Sequence, residues 1–151
     1  MSIYDKLKSM NISLSKPDAP AAVFLPYVQI GNLLFVSGHI AKKQGRPWAG
    51  KVGREIGREE AVLAARSVAI DLLNTMHAAT GDLERVKSMV KLLVLVNSDI
   101  SFTEQHIVAN GASEFLIEVF GDAGKHARSA FGVAQIPLGS CVEIELIAEL
   151  R

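Results

Sequence analysis

Apolar positions along this chain recur with two different periods, and the changes of period outline its elements. Val62, Ala65, Ala69, Leu72 and Met76 return at steps of three and four, the spacing of one helix face, while Glu59, Glu60 and Arg66 fall off that line. Gly81 closes this helix, and Asp82 opens a short turn. Val86 to Val96 is a valine- and leucine-rich run, interrupted by Lys87 and Lys91, that reads as a central strand. Ser101 followed by Glu104 has the form of a capping box, so a second helix is expected from about Phe102 to Phe120, with Ile107, Phe115 and Val119 among its apolar positions and Gly121 and Gly124 at its end.

Elsewhere the period is two. Val28-Gln29-Ile30 and Leu33-Leu34-Phe35-Val36 flank Gly31-Asn32 and read as two strands around a tight turn, the second ending at Ser37-Gly38-His39. Ser129 to Gln135 reads as another strand, Pro137-Leu138-Gly139 as a turn, and Cys141 to Glu149 as the closing strand. In that last strand Val142, Ile144, Leu146, Ala148 and Leu150 alternate with Cys141, Glu143, Glu145, Ile147 and Glu149, so the two sets point to opposite faces. Residues 1–19 read as a loose polar arm with room for a short early strand. Residues 42–58, with Gly45, Pro47, Gly50, Gly53 and Gly57 among basic residues, read as a long loop with a short strand at its end.

The order ββαβαββ predicts a two-layer α+β domain over residues 20–151, because two helices can cover only one face of such a sheet. The other face would carry apolar side chains from several strands, which an oligomer would bury.

Composition narrows the function classes. Lys plus Arg and Asp plus Glu are each 16, so the formal net charge is zero and no bulk attraction to nucleic acid or anionic membrane is expected. Lys42, Lys43, Arg46, Lys51, Arg54 and Arg58 interleave with Trp48, but Glu55, Glu59 and Glu60 dilute the cluster, which favours a solvated loop or an intersubunit contact over a nucleic-acid strip. The single cysteine, Cys141, excludes an intrachain disulfide and reads as a buried, inert thiol. The segment after Met1 does not resemble a signal peptide and no apolar run is long enough to span a bilayer, so the cytoplasm is the expected location. His39, His77, His106 and His126 show no metal-ligand spacing, and no phosphate-binding loop or nucleophile elbow occurs; no metal and no cofactor are expected.

Arg128, at a loop-to-strand transition, is the sharpest candidate for chemistry. Its guanidinium fork matches a carboxylate, but the same residue would serve as a scaffold ion pair. Glu143 carries the same two readings: a carboxylate that orients water or moves a proton, or a solvated side chain.

Pro20-Ala21-Ala22, Pro26-Tyr27-Val28-Gln29, Leu34-Phe35-Val36-Ser37-Gly38, Asn110, Ala127-Arg128-Ser129 and Val142-Glu143-Ile144-Glu145 occur in an order that resembles the RidA family, also called YjgF/YER057c/UK114 and often labelled endoribonuclease L-PSP. The resemblance covers roughly residues 20–150. It implies a chorismate-mutase-like fold, a homotrimer with clefts between subunits, and cofactor-free hydrolysis of 2-aminoacrylate-type enamines and imines to 2-keto acids and ammonia. It further implies that Arg128 grips the substrate carboxylate and Glu143 activates water, with Tyr27, Ser37, His39, Asn110, Ser129 and Ala130 around the substrate. Three departures mark a divergent member: Phe24-Leu25 replace the glycine before Pro-Tyr with one extra residue, His39 stands where glutamine is usual, and Ala130 where cysteine often follows Arg-Ser. His39 is then either a proton-transfer residue or a polar wall. The alternatives are a non-catalytic trimeric module that binds a small carboxylate or regulates a partner and, on the family label alone, an endoribonuclease.

Overall fold

Val142, Ile144, Leu146, Ala148 and Leu150 are all buried, and their strand, β7 (Val142–Leu150), lies at the centre of a five-stranded sheet. The computed structural model describes residues 1–20 and 22–151. Across the sheet the order is β1 (Tyr27–Ile30), β2 (Leu33–Ile40), β7, β5 (Val86–Asn97) and β6 (Ala127–Val133). All neighbours are antiparallel except β5 and β6, which are parallel and joined through a helix. Between β2 and the first long helix, residues 42–58 include a small hairpin, β3 (Lys42–Lys43) with β4 (Arg46–Pro47).

Two helices cover one face, as the order of elements predicts. Helix α2 (Arg58–Thr80) ends at Gly81, whose φ of 72° is the left-handed conformation that favours glycine at a helix exit. Its buried side is small: Ala61, Ala64, Ala65 and Ala69 accompany Val68, Leu72 and Met76. Helix α3 (Gln105–Phe120) approaches it so closely that a Cβ on Gly111 would stand 2.1 Å from the Val62 carbonyl oxygen. Leu92, Val94 and Val96 of β5 complete the core from the sheet side.

Three local expectations are corrected. The arm is not loose at its start: Ser2 and Asp5 form a reciprocal capping box for helix α1 (Ile3–Ser9), and Leu7 reaches the core. Ser101 does not cap α3, because its hydroxyl and amide both turn back to Asp99 Oδ2; the helix begins at Gln105 with Glu104 at its cap. Strand β6 starts two residues earlier than the apolar pattern suggests, at Ala127.

The uncovered face carries Val28, Ile30, Phe35 and Phe131, all exposed, beside Leu93, Leu95 and Ile147. It also carries Glu143, Glu145 and Glu149.

Candidate active site

Strand pairing places Arg128 opposite Leu92, and Glu143 opposite Leu95. Leu92 and Leu95 are an odd number of residues apart on one regular strand segment, so the two functional candidates leave the sheet on opposite sides. Arg128 faces the helices; Glu143 faces outward.

The guanidinium of Arg128 is held by α3. Nη1 donates to Asn110 Oδ1 at 2.9 Å and to Ser113 Oγ at 3.1 Å, and Nη2 donates to the His106 carbonyl at 3.2 Å. Asn110 and Ser113 are three apart, hence neighbours on one helix face. A guanidinium has five N–H donors, so Nε–H and one Nη2–H remain without a partner among the described residues. Nε and Nη2 form one edge of the fork, the arrangement that receives a carboxylate in a bidentate manner. No carboxylate of the same chain pairs with Arg128 among the described residues.

Ser129 and Ala130 part company in the strand. Ala130, opposite Val94, shares the helix side with Arg128, whereas Ser129, opposite Leu93, is exposed on the outer face. Sequence reasoning missed two residues here, Ser113 and His126. Their signal is positional: Ser113 stands one helix step from Asn110, and His126 two residues before Arg128.

Glu143 lies over Gly38, and its carboxylate would meet a Cβ there at 2.8 Å. Gly38, Leu93, Leu95, Glu143 and Glu145 line a cavity of about 140 Å³. Burial in this largely apolar setting raises the Glu143 pKa above the usual carboxylate value, and the Glu145 charge raises it further. A raised pKa makes the Glu143 carboxylate a stronger base than an exposed one.

His39 lies on the other side of the sheet. A bulge between Val36 and His39 brings His39 opposite buried Ile144, and its ring turns to α2. Nδ1 donates to the Ser37 carbonyl at 2.7 Å, so the neutral ring receives the Thr75 hydroxyl at Nε2, also at 2.7 Å. Burial lowers its pKa and favours that neutral form. Ser37 Oγ donates to the Leu25 carbonyl at 2.6 Å and so anchors the Phe24-Leu25 segment. Tyr27, opposite Val36, packs on the helix side of β1. Ala21 of the Pro20-Ala21-Ala22 motif lies outside the described residues.

The predicted site residues therefore fall into two groups. Arg128, Asn110 and Ala130 gather at the β6–α3 edge, with Ser129 on the reverse face of β6, and Tyr27, Ser37, His39 and Glu143 belong to β1, β2 and β7. β1 and β6 are the two sheet edges, four strand spacings or about 19 Å apart, and β7, two spacings from β6, holds Glu143 on the face away from Arg128. One chain does not bring the groups together.

Most basic residues of the 42–58 loop are engaged within the chain. Lys42 pairs with Asp18, Arg54 with Asp99, and Arg58 with Glu59 and Glu104; Lys51 Nζ donates to Asn97 Oδ1 and the Ala134 carbonyl. Lys43 sits over the Trp48 ring, 5.0 Å from its centre. This leaves little free charge for a phosphate backbone. Cys141 is fully buried, and desolvation pushes its thiol up to about 11, so it is inert. No helix among the described residues is long and apolar enough to cross a membrane.

A mixed five-stranded sheet with two long helices packed on one face is the two-layer α+β architecture of the chorismate-mutase-like class. Residues 5–150 match the family model described as "YjgF/chorismate_mutase-like, putative endoribonuclease", and the chain belongs to this RidA/YjgF/YER057c/UK114 family. It is 46% identical over 147 residues to Protein TCP17 of Trypanosoma cruzi, covering 96% of this chain and 92% of that protein. Among solved structures it resembles protein Atu1372 of Agrobacterium tumefaciens (37% identity, TM-score 0.91, 99% of this chain and 92% of the other). It also resembles a "putative endoribonuclease" from Shewanella oneidensis (28% identity, TM-score 0.95, 99% and 100%). Members of the family are typically homotrimers with clefts between subunits.

Proposed function

We propose that this protein is a cytoplasmic, cofactor-free hydrolase of small enamine/imine acids of the 2-aminoacrylate type. It works as a homotrimer whose sites join the β6–α3 edge of one subunit to the outer face of the next. The observation that carries this reading is Arg128: α3 holds its guanidinium in place and leaves the Nε/Nη2 edge for a carboxylate.

The substrate carboxylate docks on that edge, and the enamine tautomerises to the imine. Glu143 of the neighbouring subunit takes a proton from water as the oxygen adds to the imine carbon. The resulting amino alcohol receives a proton on nitrogen, the C–N bond breaks, and ammonia leaves a 2-keto acid. The balance is imine plus water giving ketone plus ammonia. The imine carbon is already electrophilic, so positioning and local proton transfer suffice. Ser37 anchors the wall opposite Arg128 through the Leu25 carbonyl, and Tyr27 and His39, on the helix side of the same strands, stiffen it from behind.

The test is subunit complementation. Arg128→Ala and Glu143→Gln proteins are each expected to be inactive when 2-aminoacrylate is generated by a serine dehydratase and pyruvate release is followed. Refolded together in equal amounts, random trimers with sites shared between subunits regain about one quarter of parental activity. Parental activity in Arg128→Ala, or inactivity of the parental protein on several imines that it binds, overturns the reading.

A further inference from the structure

We infer that Ser113 and His126 form a directional hydrogen-bond relay whose task is to position Arg128 for its anion. The inference rests on the reading of Arg128 as a carboxylate clamp and adds residues to that site.

The direction of the relay follows from donor and acceptor counts. His126 Nδ1 lies 2.7 Å from the Gly124 carbonyl oxygen, which only accepts, so Nδ1 carries the proton. In the neutral ring Nε2 is then an acceptor. Ser113 Oγ lies 2.9 Å from it and donates its one hydrogen there. That commitment turns the Ser113 lone pairs toward the remaining neighbour, Arg128 Nη1 at 3.1 Å. The chain runs one way, from guanidinium to hydroxyl to imidazole, with the imidazole hydrogen ending on the carbonyl.

The placement suits fixation more than catalysis. Ser113 is 8% exposed in the middle of α3, so its hydroxyl is screened from bulk water. Gly124 closes the short helical turn after α3, and a Cβ there would stand 2.3 Å from the Leu116 carbonyl oxygen, so the backbone that orients His126 is itself closely packed. Asn110 holds Nη1 and the His106 carbonyl holds Nη2. Ser113, one helix step beyond Asn110, is the second acceptor on Nη1 and completes its pairing, which narrows the tilt the guanidinium plane retains. The clamp is then pre-organised and less is lost on ordering it when the anion binds.

The relay has a signature independent of activity. Nitrogen-15 NMR of histidine-labelled protein near neutral pH is expected to show His126 with Nδ1 protonated and Nε2 bare, the less common tautomer in solution. Ser113→Ala should shift the Nε2 signal, and Ser113→Thr should restore it. In the coupled deaminase assay Ser113→Ala is expected to raise KM about tenfold with kcat within twofold, because the group it positions holds the carboxylate and not the reacting carbon. Ser113→Thr should return KM to within about twofold to threefold of parental. Circular dichroism and thermal unfolding establish that each variant is folded. If Ser113→Ala does not fold, His126→Gln with the same kinetic split takes its place.

An Nε2-protonated His126, or a KM within twofold of parental in the folded Ser113→Ala protein while Arg128→Ala loses activity, overturns the relay and leaves the clamp intact. If Arg128→Ala itself keeps parental KM and kcat, the clamp reading fails, and the positioning role fails with it even where the NMR pattern is as expected.

Discussion

Gly38→Ala separates the fold from the proposed chemistry. An ideal Cβ on Gly38 would stand 2.8 Å from Glu143 Oε1, 3.2 Å from Cδ and 3.3 Å from Cγ. Carbon contacts settle near about 3.5 Å, so the carboxylate must retreat by roughly 0.5–0.7 Å. The obstacle is the far end of a flexible side chain on an open face, so the backbone has no need to move. Gly38 is absent from the positive-φ residues, which makes alanine compatible with its conformation. Replacing glycine there gains about 0.5–1 kcal/mol through the unfolded chain, against a comparable cost of about 1 kcal/mol for crowding Glu143. Stability should therefore change by less than about 1 kcal/mol. Catalysis has no such tolerance: a 1 Å misplacement of a reacting group costs about 100-fold, so a shift of half that or slightly more costs about tenfold to thirtyfold. Urea unfolding and the coupled 2-aminoacrylate assay measure the two effects on one preparation. A variant with parental stability and activity within twofold refutes the use of Glu143 in its present position. A loss of more than about 3 kcal/mol refutes the steric argument, because Glu143 would then be unable to yield.

Gly111→Ala sets propensity against packing: alanine favours helix by about 1 kcal/mol, but its Cβ would sit 2.1 Å from the Val62 carbonyl oxygen of the facing helix. Backbone cannot retreat as a side chain can, so urea unfolding should show a net loss of about 3 kcal/mol, and a gain in stability would contradict the close approach. Leu7→Ala should cost about 2–3 kcal/mol if α1 belongs to the core, whereas a change under about 0.5 kcal/mol would return residues 1–19 to a loose arm. Burial raises the Glu143 pKa in the folded protein, so the folded state holds that proton to higher pH than the unfolded chain does, and this contribution to stability fades as pH rises from the ordinary carboxylate value through the folded one. Glu143→Gln, which does not titrate, should gain stability relative to the parental protein across that window and hold a constant margin above it; a margin that shrinks with rising pH would reverse the sign.

The long elements were legible because their periods run far enough to average out exceptions. The five buried positions of β7 and the alanine-rich stripe of α2 are cases where local pattern and packing agree. Helix α1 escaped because seven residues with one buried leucine carry no measurable period, and only the Ser2–Asp5 box betrays it. The Ser101–Glu104 pattern misled for the opposite reason, since Asp99 stands two residues away and competes for the same hydroxyl and amide. The bulge at Ser37-Gly38 adds a residue that no hydrophobic pattern announces, and that residue decides which face His39 occupies.

The site exposes a deeper limit. Alternation within a strand assigns relative faces inside that strand alone; comparing Arg128 with Glu143 requires the register of β5 against both of its neighbours. With that register, the odd separation of Leu92 and Leu95 puts the two residues on opposite faces, and no side-chain rotation carries a guanidinium through a sheet. If both residues act on one small molecule, the second must come from another chain. The exposed Val28, Phe35 and Phe131 on the Glu143 face give such a chain an apolar surface to bury. The outer face and the active site are then one feature, and a substitution that breaks the oligomer should abolish hydrolysis while leaving each subunit folded.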